Sequence, residues 1–107
     1  MPSYRVTLGV GLLRGSTAPE QVLPAATAAA RALVTVEAYD LGVVRGRARI
    51  TVRFTADDDP AALHVAGAVT RTVTDLATVD QPQVTRRWGN RWYPLRADGR
   101  IPRPPTG

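Results

Sequence analysis

The residues best equipped for chemistry lie near the C-terminus. In Arg86-Arg87-Trp88-Gly89-Asn90-Arg91-Trp92-Tyr93-Pro94, cations alternate with both tryptophans of the chain and one of its three tyrosines. From Val84 to Gly107, six arginines (Arg86, Arg87, Arg91, Arg96, Arg100, Arg103) stand against one acid, Asp98, while the preceding residues balance eight arginines with eight acids. The formal net charge of +5 therefore sits in the C-terminal end. Guanidinium forks match phosphate oxygens and indole rings stack on unpaired bases, so the chemistry on offer is nucleic-acid binding. Arg86, Arg87, Arg91 and Arg96 are the candidates for phosphates, and Trp88 and Trp92 for bases. The same residues also suit a structural role, a hairpin whose rings and guanidiniums stabilise one another across the ladder.

Catalytic constellations are missing by comparison. Without cysteine there is no thiolate nucleophile, disulfide or cysteine zinc site, and the single histidine, His64, has no second histidine or serine motif to work with. Asp57-Asp58-Asp59 is too compact for a calcium loop, which spreads its ligands over about a dozen residues and ends in a glutamate. A helix cap at Asp59 explains it better. Glu37 and Asp40, three apart in a strand, point to opposite faces, and Gly9-Val10-Gly11 lacks the spacing of a phosphate-binding glycine loop. A binding module that uses no metal or other cofactor is expected, rather than an enzyme.

At 107 residues the chain is long enough for one two-layer core. All fourteen basic residues are arginine, a bias that GC-rich coding explains together with the abundant alanine; the clustering is not so explained. The run Val6 to Leu13 follows a basic residue, but it is short, contains Thr7 and two glycines, and alternates like a strand rather than an export signal. No stretch approaches the roughly 18 apolar residues of a membrane span, so a cytoplasmic location away from membranes is expected.

The elements that must hold these side chains follow from a half-repeat. At an offset of 43 residues, Leu33-Val34-Thr35-Val36-Glu37 matches Leu76-Ala77-Thr78-Val79-Asp80, and Arg45-Gly46 falls opposite Trp88-Gly89. Each half reads as strand, helix, strand. Strand one, Tyr4 to Val10, and strand three, Ala48 to Thr55, alternate strictly between apolar and polar residues. One face is therefore buried, and the other carries Arg5, Thr7, Arg49, Thr51 and Arg53. Strand two runs from about Val36 to Arg45, strand four from about Gln83 to Trp88, and a short strand five from Arg91 to Leu95. Helix one has a start signal at Thr17 to Glu20, with Pro24 requiring either a kink or a start near Leu23-Pro24. Its apolar stripe is Val22, Ala26, Ala29, Ala30 and Leu33. Helix two starts at Asp59-Pro60 with the stripe Leu63, Ala66, Val69, Val73 and Leu76.

An α+β chain with this βαββαβ order and a one-sided antiparallel sheet resembles the ferredoxin-like fold, with two helices on one face and strand order 4-1-3-2. Residues 1–96 are expected to form this single domain, with strand five making a C-terminal hairpin with strand four. Residues 97–107 are expected to be a flexible tail rich in proline and arginine. A Gly89-Asn90 turn sets Trp88 opposite Arg91, Arg87 opposite Trp92 and Arg86 opposite Tyr93. The polar sheet face has no aromatic on strands one and three, unlike RNA-recognition modules built on this scaffold. The alternative to nucleic-acid binding is a protein-interaction or assembly module, a homodimer joined through its sheet face or an edge strand.

Overall fold

The computed structural model describes residues 1–95. Arg96 and the segment 97–107 expected as a tail lie outside the described residues. The described residues are α+β, a five-stranded antiparallel sheet with two helices. In order it forms β1 (Ser3–Leu13), a 3₁₀ turn (Pro19–Gln21), α1 (Val22–Arg31), β2 (Val36–Val44), β3 (Arg47–Thr55), α2 (Asp59–Leu76), β4 (Ala77–Trp88) and β5 (Arg91–Pro94). The strands lie side by side as β2-β3-β1-β4-β5, and every neighbouring pair is antiparallel.

The alternation in β1 and β3 fixes which face is covered. Tyr4, Val6 and Leu8 on β1, with Ile50, Val52 and Phe54 on β3, are buried against Val22, Ala26 and Ala30 of α1 and Ala62, Val65, Ala66, Val69 and Val73 of α2. The Tyr4 and Phe54 rings stack with centroids 5.9 Å apart. Between these side chains stand Arg5, Thr7, Arg49, Thr51 and Arg53, on the face that the helices leave open.

Several boundaries differ from the sequence expectation, each for a physical reason. α1 begins at Val22, after the 3₁₀ turn, which places Pro24 in the first turn where a missing N–H loses no helical bond. The expected cap at Thr17 is replaced by Gln21, whose Oε1 accepts from the Ala18 N–H at 2.6 Å. Leu33 lies beyond the helix and is exposed. The cap of α2 is Asp58, accepting from the Ala61 N–H at 2.9 Å, and not Asp59, which is the first helical residue and is buried. β4 begins directly at the end of α2, six residues earlier than Gln83, and runs beside the lengthened β1 with irregular register between Thr7 and Gly9 and between Val10 and Leu13. Gly9 leaves room there for the Asp80 carboxylate, which passes over the strand to an ion pair with Arg47 and would have to move aside for a side chain at this position.

The turns expected in the two halves are both present. Arg45-Gly46, at φ 54° and 78°, closes β2 onto β3, and Gly89, at φ 59°, begins the turn from β4 to β5. Left-handed backbone of this kind favours glycine and matches the twist of the flanking strands.

Candidate functional site

The β4–β5 register pairs Arg86 with Tyr93, Arg87 with Trp92 and Trp88 with Arg91. Because side chains alternate along a strand, the hairpin divides its own chemistry between the two faces of the sheet. Arg86, Trp88 and Tyr93 lie on the helix side; Arg87 and Trp92 lie on the open side. Both indole rings are half-buried, while Arg87 and Arg91 are exposed.

On the helix side the hairpin is built into a buried polar network. Asp59, only 2 % exposed, accepts from the Tyr4 hydroxyl at 2.6 Å and from Arg86 Nη1 at 2.8 Å, both at Oδ1. The Arg86 guanidinium also lies 3.9 Å from the centroid of Trp88 and 5.8 Å from that of Tyr4. One carboxylate thus ties α2 to β1 and β4, and the ring of Trp88 covers the cation it holds. The Tyr4 hydroxyl is held well above its ordinary pKa, first because burial opposes the phenolate and then because it donates to Asp59.

On the open side the same pair of side-chain types is arranged differently. Arg5 of β1 lies directly opposite Arg53 of β3, and Trp92 reaches from β5 across β4 so that the Arg5 guanidinium meets its ring at 4.0 Å and the Arg53 guanidinium at 5.4 Å. Thr85 Oγ1, Arg5 Nε and Arg53 Nε are sealed from solvent although they project from the helix-free face. Trp92 is the side chain that lies over both guanidiniums. Arg53 has Glu37 at 3.6 Å, and Glu37 also accepts from the Ser3 hydroxyl at 2.7 Å. Arg5 makes no ion pair among the described residues, and its pKa is lowered by burial and then by the adjacent Arg53. Like charges directly opposite each other repel, and the shared aromatic face offsets part of that cost.

The stacking partners are therefore not the cross-ladder pairs. Trp92 stacks on Arg5, two strands away, and Trp88 stacks on Arg86, two residues back along its own strand. Arg87 instead donates from Nε to the Gly89 carbonyl at 2.8 Å, bracing the turn. Farther along the open face, Arg45, Arg47 and Arg49 line a shallow depression of about 470 Å³ with Gly9, Asp80 and Gln81. Sequence reasoning placed Arg5, Arg49 and Arg53 on the open face but supplied no aromatic to join them; β5 provides it.

Among the described residues no group of His, Cys, Asp or Glu could hold a metal ion. His64 is exposed on α2, and Asp57 and Asp58 are exposed at its start. No helix among the described residues is long and apolar enough to cross a membrane. Neither the protein-family models nor the curated proteins searched contain a match to this chain.

Proposed function

We propose that this protein acts by binding rather than catalysis, and that its ligand is single-stranded nucleic acid laid across the helix-free sheet face. The observation that carries the reading is Trp92 resting on Arg5 beside Arg53, an aromatic platform with cations beneath it and around it. A half-buried indole on a sheet offers its outward face to a base, and base–aromatic stacking is worth about 1–3 kcal/mol per base. Exposed Arg87 flanks the platform, and the arginines around the 470 Å³ depression extend the basic track along β3. Phosphate contact at these sites supplies sequence-independent affinity. Arg86 and Trp88 support the platform from below rather than touching the ligand, since Arg86 is committed to Asp59. Arg96 stands two positions after the last residue of β5 in sequence and belongs to the same basic group.

The order β4-β1-β3-β2, with α1 and α2 sharing one face, supports reading the scaffold as ferredoxin-like with β5 appended outside β4. Many activities occur on that scaffold, so the reading rests on the site and not on the fold. A nucleic-acid ligand also accords with a cytoplasmic place of action.

The test is titration of tryptophan emission with single-stranded and duplex oligonucleotides at low and moderate salt. Single strands should quench the emission saturably and bind more tightly than duplex, because only unpaired bases can stack. Affinity should fall steeply as salt rises, through counterion release. Unchanged emission at low salt overturns the proposal.

A further inference from the structure

β2 forms one edge of the sheet and is poorly defended as an edge. It is nine residues long, contains neither proline nor lysine, and leaves Tyr39, Leu41 and Val43 exposed at 52 %, 51 % and 75 %. Their partners on β3, namely Val52, Ile50 and Ala48, place all three on the helix side of the sheet. α1 is ten residues long and half alanine, too slender to cover them: Leu23, Pro24 and Thr27 border Tyr39 across an open cleft, and the Arg31 guanidinium lies 5.4 Å from the Tyr39 ring centroid. A long, apolar edge of this kind is a template for another strand.

The backbone points to the same three residues. The two-residue turn closes on the pair Val44 and Arg47, and hydrogen-bonded pairs alternate along an antiparallel ladder. Val44, Gly42 and Asp40 therefore spend their N–H and C=O groups on β3. Val43, Leu41 and Tyr39 direct theirs outward.

We propose that a second copy of this chain occupies this edge, β2 pairing antiparallel with β2 across a two-fold axis at Leu41. Tyr39 then faces the partner's Val43 and Leu41 faces its own copy, all as hydrogen-bonded pairs. Aromatic and β-branched residues are favoured opposite each other. The exposed apolar set is complementary to itself, since Tyr39 meets the partner's Val43 twice over and Leu41 meets Leu41 on the axis. Sliding one way sets Asp40 against the partner's Asp40, like charges face to face. Sliding the other way sets Asp40 against the partner's Val44 and carries Tyr39 past the end of the partner's strand. Shifts that break the parity turn apolar side chains onto the wrong face. An isologous dimer of this kind has both helix layers on one side, so the two Trp92-bearing faces join into a single ten-stranded surface. The inference does not depend on nucleic-acid binding.

Sedimentation equilibrium should give a dimer mass for the wild-type chain, and Val43→Asp should halve it while circular dichroism shows the fold retained. Because the chain has no cysteine, Leu41→Cys should cross-link across the axis under mild oxidation, whereas Val43→Cys, which faces the partner's Tyr39, should not. A monomeric wild type would leave the edge to a strand of another protein and overturns self-pairing. So does a dimer that survives Val43→Asp. Cross-linking of Val43→Cys as readily as Leu41→Cys overturns the register.

Discussion

The two faces of the β4–β5 hairpin hold the same pair, an arginine on a tryptophan, at nearly the same distance, 3.9 Å for Arg86 on Trp88 and 4.0 Å for Arg5 on Trp92. They differ in what neutralises the cation. Arg86 has the buried carboxylate of Asp59, whose Oδ1 also accepts from Tyr4, so its charge is balanced within the chain although Asp59 Oδ2, Arg86 Nε and Trp88 Nε1 are buried without partners. Among the described residues Arg5 has only another arginine opposite it and an aromatic ring above it. The first arrangement gains nothing from an anion, whereas the second is improved by one. The two faces thus differ by the presence of one carboxylate, not by the identity of the arginine–tryptophan pair.

The largest expected effect breaks the charge-balanced face. Asp59→Ala strands Arg86 in a mostly buried site, and loss of one partner of a buried ion pair costs about 3–5 kcal/mol. Denaturant unfolding should register that loss, while oligonucleotide affinity of the folded fraction should be nearly unchanged. Loss of affinity matching the loss of stability would show that the faces are not separate.

Tyr4→Phe removes one hydrogen bond to a charged group, worth about 1.5–3 kcal/mol. It also tests the pH dependence. The Tyr4 pKa is raised on folding, so its contribution is fully present below the unfolded value of about 10 and is lost as pH rises above it. The denaturation midpoint of the wild type should therefore fall at alkaline pH more steeply than that of Tyr4→Phe. Equal slopes would count against a hydroxyl held by Asp59.

Trp92→Ala acts on the other face. Oligonucleotide affinity should weaken by about 1–3 kcal/mol, measured by anisotropy of a labelled strand, with a smaller change in stability. The smallest effect is sought at Arg87→Ala, which should lower the slope of log affinity against log salt by about one without abolishing binding. An unchanged slope would remove Arg87 from the phosphate contacts.

Much of this comparison could be read in the chain before its fold was known, because local rules govern it. A two-residue turn at Gly89-Asn90 fixes the register, and strict alternation fixes which side each residue faces. The half-repeat likewise placed both hairpin turns. What the sequence withheld was settled by residues far along the chain. Any of three consecutive aspartates satisfies helix-cap chemistry; Tyr4, 55 positions from Asp59, and Arg86, 27 positions away, draw Asp59 inward and leave the cap to Asp58. The contact of Trp92 with Arg5 depends on β1 lying beside β4, a fact of strand order and not of local pattern. The apolar residues of β2 alternate like those of a covered strand, and only its edge position under a short α1 leaves them bare.

The separation of the faces is tested most directly by comparing two single-tryptophan variants, Trp88→Phe and Trp92→Phe, in one titration with a single-stranded oligonucleotide at low salt. Trp92, the reporter left in Trp88→Phe, should be quenched saturably, while Trp88, left in Trp92→Phe, should stay nearly constant under its Arg86 cover. Equal responses from both tryptophans, or none from Trp92, would contradict the account.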